Sequence, residues 1–183
     1  MNAVTWQAAA HLLAYPDQRF WARLPLIEEA AGGRFPGFIP KIREMGGGGL
    51  AAHYVETFDL KRTCCLYLTY YADGDTRRRG RSLAALKAHY RGAGWELMDD
   101  ELPDYLPVML EFAALDPSGG EVLAEHVVGV ELLLAALETH ASPYRLVLGA
   151  VRDTLPPLTA EQREAVTRLA CGGPPAESVG LGR

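Results

Sequence analysis

The residues with the most chemical potential lie between positions 64 and 101. Asp73-Gly74-Asp75 opens like a calcium loop, and Cys64-Cys65 is an adjacent thiol pair. Gly80-Arg81-Ser82-Leu83-Ala84 is one residue away from a nucleophile elbow, and Asp73, Asp75, His89 and Glu101 form a polar set suited to hydrolysis. Each pattern lacks a part its chemistry needs. A calcium loop counted from Asp73 requires glycine at its sixth position and glutamate at its twelfth, where Arg78 and Ala84 stand. Ser82 falls in a predicted helix, whereas an elbow serine sits on a strand-to-helix turn. Adjacent residues on a helix point about 100° apart and rarely form a disulfide. An odd cysteine total, completed by Cys171, without CxxC spacing, argues against a disulfide framework and against zinc. There is no Gly-Lys pair for a phosphate-cradling loop, no GxGxxG, no HExxH and no Glu-x-x-His. We therefore expect no catalytic residue, no metal and no stably bound cofactor. The hydrolase reading rests on polar clustering alone.

What remains is a surface for holding something. The segment from Tyr54 to Gly80 is dense in aromatic residues: Tyr54, Phe58, Tyr67, Tyr70 and Tyr71. Charge is divided as sharply. Between Thr76 and Trp95 stand Arg77, Arg78, Arg79, Arg81, Lys87 and Arg91 with no acid, and between Glu96 and Tyr144 stand eleven acids with no base. One reading sets the two blocks against each other or solvent, where they add little stability. The other makes the acidic surface an attractor for a basic amphipathic peptide whose apolar face enters a groove of large side chains. By type, Tyr54, Phe58, Leu66, Tyr67, Tyr70, Tyr105 and Met109 are groove candidates, and core packing is the competing role for each. The basic stretch from Arg77 to Arg91 also admits a nucleotide- or nucleic-acid-binding reading. A net charge of −5 disfavours a general nucleic-acid binder.

The elements that would position these residues read as helices. A chain of 183 residues suggests one domain with a core of its own. Residues 4–15 form an alanine-rich helix stopped by Pro16. Asp17 caps a second helix to about Ala31, with Pro25 expected to kink or split it. Residues 36–45 form a short helix, ended by a flexible loop at Gly46-Gly47-Gly48-Gly49. Leu50, Tyr54 and Phe58 make an i, i+4, i+8 stripe. Asp75 is the expected cap of a helix to about Arg91, and Pro103 the first-turn proline of the next. Ser118-x-x-Glu121 is a capping box opening one helix to about Glu138, whose apolar part makes it the central buried helix. Pro143 opens another, and Thr159-x-x-Gln162 caps the last. The fold class is all-α: a single-domain helical bundle of roughly eight to ten helices over residues 1–170, with a loose tail at 171–183. The N-terminus is not a signal peptide, no apolar run is long enough to span a bilayer, and the thiols suit a reducing cytoplasm.

The same segment carries a family resemblance. Tyr54-x-x-x-Phe58-Asp59-Leu60-Lys61-Arg62, Leu66-Tyr67-Leu68-Thr69-Tyr70-Tyr71 and Gly74-Asp75-Thr76-Arg77-Arg78-Arg79-Gly80 resemble the signature of the NarJ family, also labelled the nitrate reductase delta subunit. A weaker match runs through Asp99-Asp100-Glu101-Leu102-Pro103-Asp104-Tyr105-Leu106 to Leu110-Glu111-Phe112, so the likeness covers residues 50–116. The resemblance implies a helical domain like the TorD/DmsD chaperones. It implies a cytoplasmic chaperone that binds the N-terminal helix of the apo catalytic subunit of respiratory nitrate reductase. That chaperone would hold the subunit open for molybdenum cofactor insertion and delay its membrane docking. The relatives carry a Glu-Pro-x-Asp-His hinge motif. Glu101, Asp104 and Tyr105 occupy matching places, with the proline shifted to Pro103 and tyrosine replacing histidine. It further implies a monomer, or a dimer swapped at the glycine run.

Overall fold

The computed structural model describes residues 2–98 and 101–175. Its helices are α1 (Asn2–Leu12), α2 (Gln18–Ala31), α3 (Phe38–Tyr54), α4 (Leu68–Asp73), α5 (Arg77–Gly92), α6 (Leu106–Leu115), α7 (Gly119–Glu125), α8 (Val127–Thr139), α9 (Tyr144–Arg152) and α10 (Ala160–Gly172). A π-helical turn, Val55–Asp59, extends α3, and a 3-10 turn, Arg62–Cys64, precedes α4. The all-α reading and the helix count are as expected. Asp99 and Asp100 of the weaker family match, and residues 176–183 of the expected tail, lie outside the described residues.

Local chemistry sets several helix ends. Asp17 caps α2 by accepting from Phe20 N at 2.9 Å, and Gly32 closes it at φ 55°. The capping box at α10 is complete: Gln162 N donates to Thr159 Oγ1 and Thr159 N to Gln162 Oε1. Other expectations are corrected. Pro25 lies inside a continuous α2, its exposed ring turned to solvent. The helix expected over 36–45 does end at Gly46, which leaves helical geometry at φ 69° and ψ 171° and kinks α3 there, but Gly47, Gly48 and Gly49, expected as loop, are helical and open its second half. The cap of α5 is Thr76, not Asp75. Pro107, not Pro103, is the first-turn proline of α6. Ser118 makes no cap bond; its hydroxyl donates to Asp116 Oδ1 at 2.6 Å. The helix expected from 118 to 138 breaks at His126 into α7 and α8.

The core lies where α1 packs on α6 and where α8 packs on α4 and α9. Ala8, Ala9 and Ala10 let α1 approach Met109, Leu110, Phe112 and Ala113 closely. Buried Val127, Val130, Leu133 and Leu137 make α8 the central helix. At Gly129 of α8 a Cβ would lie 3.0 Å from the Leu68 carbonyl oxygen, so glycine sets how closely α4 can sit. α10 differs from every other long helix: none of its residues is buried, and it rests mainly on α8.

Candidate functional site

Two extended segments, one before α4 and one before α6, pair as a two-rung ladder. Leu106 N donates to the Leu66 carbonyl at 2.7 Å, and Leu68 N to the Asp104 carbonyl at 3.0 Å. Side chains alternate along such segments. Leu66, Leu68, Asp104 and Leu106 turn inward and are buried. Tyr67 and Tyr105 turn outward, half-buried, with ring centroids 5.5 Å apart.

Asp104 is wholly inaccessible to solvent. Its Oδ2 accepts from Thr69 Oγ1 at 2.5 Å and Thr69 N at 3.3 Å, and Arg79 Nη2 lies 3.4 Å away. A buried carboxylate is tolerated when paired and hydrogen-bonded in this way. Its Oδ1 has no protein partner. Arg79 is fixed from several sides: Nε donates to Thr69 Oγ1, Nη1 lies 3.8 Å from Asp75, and the guanidinium lies 5.8 Å from the Tyr67 ring centre. Arg62 repeats the arrangement, paired to Asp75 at 2.5 Å and lying over Tyr70. Buried Asp73 holds Arg78 at 2.9 Å and accepts from Ser82 Oγ. Part of the basic block is therefore neutralised within the fold by Asp73, Asp75 and Asp104.

The groove candidates divide by exposure. Tyr54, Phe58, Leu66 and Met109 are buried, so in this conformation they are core, not groove wall. Tyr54 and Phe58 pack edge-to-face with each other and with Tyr144 in an aromatic cluster. The Tyr54 hydroxyl donates to the Leu13 carbonyl at 3.2 Å and lies 3.1 Å from the Tyr105 hydroxyl. Tyr67, Tyr70 and Tyr105 are half-exposed, and Glu101 is exposed. Burial pushes the Tyr105 phenol up to about 12, against the opposing hydrogen bond with Tyr54, and Glu101 adds to the rise. Burial also raises Tyr67, with Glu101 next in effect. Asp59 acts on both phenols as well. Arg79 opposes these carboxylates at Tyr67, so the tyrosine pair lies in a mixed field of acids and one clamped cation. Leu60 and Leu102, beside these acids in sequence, are 73% and 41% exposed. Both fall in the stretches that carry the family resemblance, but neither is a groove candidate by type, because a single exposed leucine has no periodic signal.

Two cavities continue this surface. One of about 160 Å³ is lined by Cys65, Tyr67, Tyr70, Arg62, Asp75 and Arg79. It shares Arg62 and Tyr70 with one of about 390 Å³, whose apolar wall includes Tyr71, Leu132, Ala136 and Leu169. The larger cavity joins α4, α8 and α10, which no sequence window spans. Of the signature residues, Gly74 meets the Pro175 carbonyl, Asp75 and Arg78 are ion-paired, Asp59 and Arg77 are exposed, and Gly80 faces open space. Among the described residues, no group of three or more His, Cys, Asp and Glu could hold a metal ion, and no helix is long and apolar enough to cross a membrane.

The profile of the family described as nitrate reductase delta subunit matches residues 16–148. The chain belongs to the nitrate reductase delta subunit family. It is 38% identical over 157 residues to the "Nitrate reductase-like protein NarX" of Mycobacterium tuberculosis, covering 82% of this chain and 24% of that protein. It is 35% identical over 155 residues to the "Probable nitrate reductase molybdenum cofactor assembly chaperone NarJ" of Bacillus subtilis, covering 79% of this chain and 84% of the relative. With the Escherichia coli K12 "Nitrate reductase molybdenum cofactor assembly chaperone NarJ" it shares 31% over 150 residues, covering 75% and 64%. The chain thus corresponds to about a quarter of the NarX-type relative. The tyrosine pair, Asp104 and its clamp all fall inside the delta-subunit match, whereas α10 and the segment after it lie beyond its end.

Proposed function

We propose that this chain is a system-specific assembly chaperone of respiratory nitrate reductase. It binds the N-terminal region of the apo catalytic subunit, keeps that subunit competent for molybdenum cofactor insertion, and delays its docking to the membrane until it is loaded. In this reading the protein works in the cytoplasm, catalyses nothing, holds no cofactor of its own, binds no nucleic acid, and acts as a monomer. Membership of the delta-subunit family and the printed names of two relatives support the activity.

The observation that carries the binding mode is the tyrosine pair. Tyr67 and Tyr105 present half-exposed rings that feel the exposed carboxylates of Asp59 and Glu101, whose sequence neighbours Leu60 and Leu102 are exposed as well. An amphipathic helix with basic and apolar faces matches such a surface: charge steers it and aromatic rings anchor it. Tyr70 and Arg62 lead from the pair toward the larger cavity. Asp104 and the buried Tyr54, Phe58, Leu66 and Met109 then support the rings from beneath. The basic stretch suits a phosphate ligand poorly, since Arg78 and Arg79 already serve Asp73 and Asp104.

Titration of the full chain with the synthetic N-terminal peptide of the source organism's nitrate reductase catalytic subunit tests the reading. We expect saturable binding that weakens with salt and is weakened about tenfold in Tyr67→Ala. No binding across a range of pH rejects the mechanism.

A further inference from the structure

The cavity of about 390 Å³ is covered in part by the chain's own C-terminal segment. α10 contributes Leu169 and Ala170 to its wall, and the chain then turns at Gly173, φ 72°. Gly173 and Pro174 continue the wall. Pro175 comes to rest on Gly74, where a Cβ would overlap its carbonyl oxygen. Gly74 itself has φ 59°, a conformation that side chains other than hydrogen disfavour. Its neighbours Asp73 and Asp75 are held by Arg78 and Arg62. The segment therefore lands on a braced platform at the end of α4.

The cover is weakly attached. Proline offers no backbone N–H, so two of its three residues cannot donate a hydrogen bond to the platform. The Gly173 N–H is spent inside α10, on the Leu169 carbonyl at 2.8 Å. α10 buries none of its residues, whereas the α8 surface beneath continues directly into the core through Leu133 and Leu137. Segments with few buried contacts open at low free energy while the core stays folded. Prolines also hold the segment's shape in advance, so it recloses at small entropic cost.

We propose that Gly173–Pro175, with the last turn of α10, is a displaceable latch over the cavity of α4, α8 and α10. The latch occupies the apolar surface onto which the client peptide would extend from the tyrosine pair, and it must move for that surface to be used. This rests on the chaperone reading for the identity of the client, but not for the existence of the latch. A site blocked for part of the time binds with its intrinsic affinity reduced by the open fraction.

A chain ending at Arg168, which lacks the last turn of α10 together with Gly173–Pro175, provides the test. Two ligands are titrated into it and into the full chain: an apolar anilinonaphthalene dye and the N-terminal peptide of the nitrate reductase catalytic subunit. With the latch removed, dye affinity rises about fivefold, and peptide affinity rises with it, while the helical circular dichroism is retained. Unchanged dye affinity overturns the latch. Higher dye affinity without peptide binding in either form upholds the latch and rejects the client. Hydrogen exchange on the full chain decides the matter even if the shortened chain unfolds. Amides of residues 165–173 should exchange faster than those of α8; exchange as slow as α8 overturns the latch.

Discussion

Asp104 and Thr69 lie 35 positions apart in sequence and are joined by a 2.5 Å hydrogen bond from the threonine hydroxyl to the buried carboxylate. This contact, with the backbone ladder beside it, welds the segment before α6 to the start of α4 and places Tyr67 beside Tyr105. Arg79 adds a cation from α5. The residues that build the tyrosine surface are thus drawn from three elements and locked by one carboxylate.

Asp104→Ala should therefore act first on stability. It leaves Arg79 and Thr69 without their shared partner and removes a charge whose burial depends on them. Loss of one member of a buried charged pair costs about 3 kcal/mol. Asp104→Asn keeps the shape and an acceptor, and should cost about half as much. Urea denaturation of the two variants checks the order. Equal and negligible losses would show that the clamp is not what holds the ladder.

The exposure of the aromatics separates binding from folding. Phe58→Ala and Met109→Ala each empty a buried site, so each should lower stability by about 3 kcal/mol. Tyr67→Ala, at the surface, should leave the thermal midpoint nearly unchanged and weaken the client peptide about tenfold. Glu101→Gln should weaken it a few-fold, chiefly through the association rate and chiefly at low salt. Calorimetry beside peptide titration distinguishes the two groups. A Tyr67→Ala variant with full affinity would remove the tyrosine pair from the site.

Much of the fold was legible because helix ends are written in local chemistry. Asp17 and the pair Thr159 and Gln162 satisfy backbone donors within three residues, so their spacing alone locates the caps. The apolar run of α8 likewise announced a buried helix. The site was less legible. Periodicity groups Leu50, Tyr54 and Phe58 on one face but cannot say whether that face meets the core or a ligand, and the structure puts all three inside. The alternation that separates Tyr67 from Leu66 and Tyr105 from Asp104 arises only once two distant segments pair. The π turn at Val55–Asp59, which rotates the stripe after Tyr54, has no sequence mark either.

Pro25 illustrates tertiary packing overriding propensity. It sits mid-helix between buried Leu24 and Ile27, and the packing of those two side chains keeps α2 continuous. Its missing N–H leaves one carbonyl of the preceding turn without its helical partner. Pro25→Ala restores that bond at an exposed position, so it should raise stability by about 1 to 3 kcal/mol. Urea denaturation measures the gain. A loss would mean that the proline shapes a bend on which the Leu24 and Ile27 contacts depend.

His53 should give the fold a pH dependence. Its ring stacks on Tyr144, with Nε2 2.9 Å from Ser142 Oγ and 3.3 Å from Thr57 Oγ1. Burial lowers its pKa below 6.5; Glu56 opposes this and Lys61 adds to it. His11 is lowered too, by burial first and then by Arg23. For a base whose folded pKa is depressed, the unfolded chain takes up the proton first. The stabilising contribution is therefore complete above about pH 6.5 and declines as pH falls toward the folded pKa. The urea midpoint should fall between about pH 7 and about pH 5.5, before most carboxylates titrate. His53→Gln should flatten part of that slope, and the further change His11→Gln more of it. An unchanged slope in the double variant would assign the dependence to other groups.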